Sequence, residues 1–149
     1  MAVRELLEKK GRKAITIDGG HTVEEAVHRM ATHNVSALVV LENAQPVGMF
    51  AERDLLRTYL THRQRPFSEI RLVEAMTPRL LVAAPQDDTA STLEMMLREG
   101  IRHLPVVENR SIVGMLTAND LIEHHLGFLD AEMGYLRDYI ADLHEAGRD

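Results

Sequence analysis

The chain has 149 residues, 45% of them apolar and 27% charged, enough for one globular domain or for two small units sharing a core. A formal net charge of −6 argues against a general nucleic-acid binder, which needs a basic face to neutralise phosphates. No apolar run approaches the roughly 20 residues that cross a bilayer, and the absence of cysteine excludes disulfides and thiol chemistry.

The N-terminal stretch is charged and amphipathic and lacks an apolar signal-peptide core, which together with the missing cysteines fits a cytoplasmic protein. Val3, Leu6 and Leu7 share a face and predict a short helix over residues 3–10, with Gly11 as its stop. Residues 14–17 read as a strand, and Asp18-Gly19-Gly20 as a turn. Thr22 with Glu25 three residues on forms a capping box for a helix whose stripe is Val23, Ala26, Val27 and Met30. Residues 35–41 are a nearly continuous apolar run of the kind buried on both faces of a sheet. A turn over 43–46, a strand over 47–50 and a helix over 54–60 complete the unit.

The segment 61–68 is polar, contains Pro66 and reads as a linker. The order then recurs: a short helix over 73–76 stopped at Thr77-Pro78, a strand over 80–83, and a turn at 85–88. Thr89 is expected to cap a helix that carries Ala90, Leu93, Met96 and Leu97 and ends at Gly100. Strands over 104–107 and 112–116 and a helix from Asp120 toward Leu126 follow.

The recurrence is an internal duplication. GMFAERDLL at 48–56 returns as GMLTANDLI at 114–122, so that Gly48/Gly114, Met49/Met115, Asp54/Asp120 and Leu55/Leu121 correspond. The register holds from Met30/Met96 onward, with a slip of one residue near the capped helix. Each unit would expose one sheet face if alone, so the two should pack as a pseudo-symmetric pair. The reading divides the chain into an N-terminal helix (1–12), a first repeat (13–60), a linker (61–68), a second repeat (69–126) and a C-terminal amphipathic helix (127–149). In that last segment Leu129, Met133, Leu136, Ile140 and Leu143 form an a/d seam about two heptads long. It packs either on its own domain or, the reading preferred here because the repeats already bury themselves, on a second copy in a homodimer.

Thr77-Pro78 followed by LVAAP, GIRHLPVV at 100–107 and GMLTANDL at 114–121, with AITID, NVSALVV and GMFAERDL in the first half, resemble the cystathionine-β-synthase (CBS) domain in tandem over about residues 10–126. The resemblance implies an α/β (α+β) fold of two β-α-β-β-α repeats packed as one pseudo-two-fold module, with two clefts between the repeats. It also implies regulation rather than catalysis, with adenosine nucleotides (AMP, ADP or ATP) or S-adenosylmethionine as the usual ligands and a separate target protein.

The family's ligand pattern is Ser or Thr, two residues, then Asp. A carboxylate accepts both hydroxyl protons of a ribose, and a hydroxyl at a helix N-terminus joins backbone N–H groups in holding phosphate. Thr117 and Asp120 match it, whereas in the first repeat Asp54 is preceded by Ala51. The resemblance also implies that a first-strand Thr joins the opposite repeat's Asp. Thr16 fits that place, and Val82 stands in the second repeat. One site built on Thr16, Thr117 and Asp120, with backbone near Ser36 and Ala37 meeting adenine, is therefore expected. Against this asymmetry stand Arg102 and His103, which by family analogy reach phosphates in the Asp54 cleft; a solvated Arg102 and a satisfied His103 are the other reading. Capping alone could also account for both Asp residues. No histidine pair stands at metal-ligand spacing, and neither a nucleophile elbow nor a P-loop is present. The functional expectation is a non-enzymatic sensor; the alternative is a ligand-free oligomerisation or interaction module.

Overall fold

The computed structural model describes the backbone of residues 1–146 and the side chains of these except 128–132 and 144–146. The chain begins with α1 (Val3–Lys10), β1 (Thr16–Asp18), α2 (Val23–His33), β2 (Ala37–Glu42), β3 (Gln45–Ala51) and α3 (Glu52–Thr61). A 3-10 turn (Phe67–Glu69) leads to α4 (Leu72–Ala75), α5 (Thr89–Glu99), β4 (His103–Glu108), β5 (Ser111–Thr117) and α6 (Ala118–Ala146). The expected two-repeat α/β architecture is present, with differences that have local causes.

In the first repeat β1 pairs parallel with β2, Thr16 opposite Val39, and β2 pairs antiparallel with β3, Leu38 opposite Phe50. In the second repeat β4 and β5 form a two-stranded antiparallel sheet, Leu104 opposite Leu116. Both hairpins slip register at the same place, after Val40 and after Val106. Both turn through a pair of left-handed residues, Asn43-Ala44 and Asn109-Arg110, as the tight I′ hairpin turn requires.

The strand expected over 80–83 does not form. Pro78 and Pro85 bracket the segment, and only Ala83 bridges to Val106, donating its N–H to Pro105 and accepting from Val107. Val82 is accordingly exposed. The Thr22–Glu25 capping box is formed, but the cap of α5 is Asp88 rather than Thr89. The Asp88 carboxylate accepts from Ser91 N–H at 3.0 Å, and Thr89 is the first helical residue. Its buried hydroxyl donates to the Met1 carbonyl instead. The helix entered near Asp120 does not stop at Gly127; a lone glycine costs a helix only about 1 kcal/mol against alanine, and α6 runs on through 146. Its stripe of Met133, Leu136, Ile140 and Leu143 is exposed, each residue at 46–54%; the side chain of Leu129, the first residue of the expected seam, lies outside the described residues.

Two apolar cores result, and each repeat lends the other its leading helix. The first core joins Ile17, Val40 and Phe50 of the first repeat to Ile70, Leu72 and Ala75, which come after the linker. The second joins Met96, Leu104 and Leu116 to Val3 and Leu6 of α1. To reach the opposite core, each lead-in crosses the other repeat's strand. Arg12 exchanges two backbone hydrogen bonds with Met115 on β5, and Thr77 exchanges two with Met49 on β3. The repeated glycines make room for these crossings: a Cβ at Gly48 would collide with the Thr77 carbonyl, and one at Gly114 would stand 2.7 Å from the Leu7 side chain.

Candidate functional site: a shared cavity with two unequal aspartates

Each crossing brings a lead-in residue against an aspartate in the first turn of the following helix; the helices begin two residues earlier than expected, at Glu52 and Ala118, so Asp54 and Asp120 are their third residues rather than their N-caps. Both Asp54 and Asp120 are 4% exposed, so each carboxylate must find partners within the protein or in a ligand. Asp120 takes part in a reciprocal cap with Thr117. Thr117 N–H donates to Asp120 Oδ2 at 2.9 Å, and Asp120 N–H donates to Thr117 Oγ1 at 3.1 Å. This leaves Asp120 Oδ1 and the hydroxyl proton of Thr117 uncommitted among the described residues. The nearest cation to Oδ1 is the Arg12 guanidinium, 3.9 Å away and largely exposed.

Asp54 has the same backbone position, but both of its oxygens are engaged within the protein. Its Oδ2 accepts from Ala51 N–H at 2.8 Å, and its Oδ1 accepts from Arg57 Nη2 and from Thr77 Oγ1, both at 2.7 Å. Ala51 supplies no hydroxyl, so only the carboxylate half of the cap exists there.

The two aspartates open on one cavity of about 1010 Å³ rather than on separate clefts. Four arginines line it: Arg12, Arg53, Arg79 and Arg102. Arg79 pairs with Glu99 at 3.1 Å, whereas Arg53 and Arg102 form no ion pair among the described residues. A second cavity of about 430 Å³, lined among others by Lys13, Ile15 and Ala37, shares Arg12, Ser36, Glu52, His103 and Thr117 with the first. Ser36 and His103 stand between them, joined by a 2.8 Å hydrogen bond between Ser36 Oγ and His103 Nε2 that links the repeats. Burial holds the His103 ring below its ordinary pKa; Arg102 and Arg12 act in the same sense and Glu52 opposes them. The surroundings therefore favour the uncharged ring.

Thus the structure gathers Thr117, Asp120, Asp54, Ser36, Arg102 and His103 around the larger cavity, and Ala37 lines the smaller. Thr16 lines neither. Strand β1 begins only at Thr16, and the segment that passes the cavities is 12–15, just before it. Arg12, Arg57 and Thr77 are the residues that sequence reasoning left out of the site. Arg57 stands at the i+3 position from Asp54, a spacing visible in the sequence, but Arg12 and Thr77 arrive only through the crossings. Among the described residues no cluster of three metal-ligating side chains occurs, and no helix is long and apolar enough to cross a membrane.

The comparisons agree with this architecture. The CBS-domain sequence family matches residues 3–61 and again residues 68–127. The CBS domain-containing protein YhcV of Bacillus subtilis is 33% identical over 109 residues, covering 71% of this chain and 74% of that protein. The crystal structure of the CBS-domain containing protein ATU1752 from Agrobacterium tumefaciens superposes with a TM-score of 0.75 at 26% identity, covering 84% of this chain and 99% of that one. The CBS domain pair of protein MJ0100, solved in complex with 5′-methylthioadenosine and S-adenosyl-L-methionine, shares the fold with a TM-score of 0.71 at 21% identity, over 85% of this chain and 97% of that one. With two matched repeats, the exchanged leading helices and the paired aspartates at helix starts, this chain belongs to the CBS-domain family and carries the domain twice in tandem.

Proposed function

We propose that the protein is a regulatory, non-catalytic module that binds one adenosine-type nucleotide at the Thr117–Asp120 end of the shared cavity and signals to a partner protein in the cytoplasm. The observation that carries this reading is the free Oδ1 of Asp120 beside the free hydroxyl proton of Thr117, both at the N-terminus of α6. A ribose diol would donate to Oδ1, and Thr117 with the helix N-terminus would hold a phosphate. Adenine would lie toward Ser36 and Ala37. The uncommitted Arg53 and Arg102 favour a phosphorylated ligand over cationic S-adenosylmethionine. A cavity of this size is at the upper end of those that hold small molecules. That the fold of MJ0100 was solved with adenosine compounds is consistent with the ligand class.

Such a ligand acts by binding one arrangement of the two repeats better than another and shifting the population by that difference. The test is thermal unfolding against AMP, ADP, ATP and S-adenosylmethionine. A ligand at 100 times its dissociation constant adds about 2.7 kcal/mol and raises the midpoint visibly. No shift with any of the four would overturn the sensor reading.

A second reading has its own support: the exposed stripe of Met133, Leu136, Ile140 and Leu143 on α6 suits pairing with a second copy, and assembly could be the whole function. Light scattering on the full chain and on a Leu136→Glu/Ile140→Glu variant tests this pairing. A dimer that becomes a monomer supports the homodimer through this stripe; an unchanged mass overturns it.

A further inference from the structure

The two aspartates occupy equivalent places in the duplication, and so do their neighbours. Thr77 and Arg12 are the lead-in residues that pair with Met49 and Met115, and Arg57 and Glu123 follow Asp54 and Asp120 by three positions. At Asp54 both neighbours are donors aimed at one oxygen, Oδ1, each at 2.7 Å. At Asp120 one neighbour is a guanidinium 3.9 Å away, and the other, Glu123, is an acid that lines the cavity and pairs with Lys10, offering Asp120 no donor. A ribose diol would offer a carboxylate two hydroxyl donors, and Arg57 with Thr77 already supplies two. Arg57 is held in place by a further bond to the Ala75 carbonyl at 3.2 Å, so it is not idle side chain swinging in solvent.

We propose that Arg57 and Thr77 stand in for a ligand at Asp54 and close that half of the cavity, so that the identity of the residue three positions after each aspartate decides which half binds. This rests on the reading of Asp120 as the nucleoside acceptor. A nucleotide approaching Asp54 would have to displace two donors, one of them charge-assisted, and would only replace the bonds it breaks. At Asp120 it meets an acceptor whose neighbouring cation, Arg12, is 3.9 Å away and largely exposed. The restriction to one site thus has a positive cause in Arg57 and Thr77, beyond the missing hydroxyl at Ala51.

The experiment transplants the closure and then removes it, using calorimetric titration of the full chain with AMP. Wild type is expected to bind one AMP per chain. Glu123→Arg places a guanidinium beside Asp120 as Arg57 stands beside Asp54, and should weaken AMP at least tenfold. The control Glu123→Ala, which removes the Lys10 pair without adding a donor, should stay within threefold. Unchanged or tighter binding by Glu123→Arg overturns the proposal. Conversely, Arg57→Ala/Thr77→Val should gain one AMP equivalent over wild type if it folds, and a folded variant with no gain also overturns it. If wild type binds none of AMP, ADP, ATP and S-adenosylmethionine, the functional reading fails at Asp120. A gained equivalent in the double variant would still support the closure at Asp54, and no gain would overturn it.

Discussion

Replacing each aspartate by asparagine separates binding from folding. In Asp120→Asn the Thr117 N–H still requires an acceptor at the Oδ2 position, so the amide oxygen takes that place. The amide nitrogen is then set where Oδ1 was, and an acceptor presented to the cavity becomes a donor. A hydrogen bond to a charged group contributes about 1.5–3 kcal/mol, and each 1.4 kcal/mol is tenfold in affinity. Losing one such bond should weaken the nucleotide about 10- to 150-fold. Stability should hardly move, because the cap survives and the Arg12 guanidinium, at 3.9 Å and mostly in water, contributes under about 1 kcal/mol. In Asp54→Asn the Ala51 N–H fixes the amide oxygen in the same way, and the new NH2 meets Arg57 and Thr77. The Thr77 hydroxyl can rotate to accept, but a guanidinium has no acceptor. The variant should lose about 1.5–3 kcal/mol, several degrees of midpoint at about 2–4 °C per kcal/mol, with its affinity intact. Titration with the nucleotide that gives the largest thermal shift, and calorimetric unfolding of both variants, read out the two quantities. Asp120→Asn binding within twofold of wild type would refute the assignment. So would an Asp54→Asn variant that loses affinity and keeps its midpoint.

Leu6 belongs to the second core although it lies at the start of the chain, so Leu6→Ala should cost about 2–5 kcal/mol by denaturant unfolding; a loss below about 1 kcal/mol would mean that α1 does not pack where the structure puts it. The His103 ring is held below its ordinary pKa by burial, so as pH falls through about 6.5 the unfolded chain takes up a proton that the folded chain refuses. Its contribution is full above that pH and is lost toward the lower, folded pKa. His103→Gln, which can still bond Ser36, should therefore flatten the fall in midpoint between about pH 7 and 5.5; His124, shifted down mainly by burial too, leaves a residual slope, and identical slopes would count against the assignment.

What the sequence revealed depended on whether the cause was local. The Thr22–Glu25 box and the Thr117–Asp120 pair were legible because their partners lie three residues apart at a helix start. Asp88 was misjudged against Thr89 because two capping residues are adjacent, and the choice fell to a tertiary contact: the Thr89 hydroxyl is taken by the Met1 carbonyl. The strand at 80–83 has the right residues, but its flanking prolines leave it one bridge. Leu6 announces a buried face without saying in which core it is buried, and the short helix expected over 73–76 starts one residue earlier, at Leu72, which is buried in the first core. The crossings that follow from that exchange decide the site: they bring Arg12 and Thr77 to the aspartates and leave Thr16 away from both cavities. Gly48 and Gly114 were visible as a repeat, but their reason, the passage of another segment's backbone or side chain, was not.

The exchange of leading helices also sets how the two halves communicate, and it can be tested by cutting the chain. A fragment of residues 1–64 keeps the first sheet but lacks Ile70 and Leu72, each fully buried in the first core. At about 1.5–3 kcal/mol for each buried side chain, it forgoes about 3–6 kcal/mol, against a typical domain stability of about 5–15 kcal/mol. It also exposes Val3 and Leu6, which have lost their own core. The complementary fragment, 65–149, has the mirror-image defect. Neither fragment should show a cooperative thermal transition by circular dichroism, and a cooperative transition in either would show that its core is self-sufficient. If both fail alone, no repeat can rearrange without the other's leading helix. The segment 12–15 then links events at Asp120 to both cores: at one end Arg12 is bonded to Met115 beside the cavity, and at the other β1 enters the first sheet.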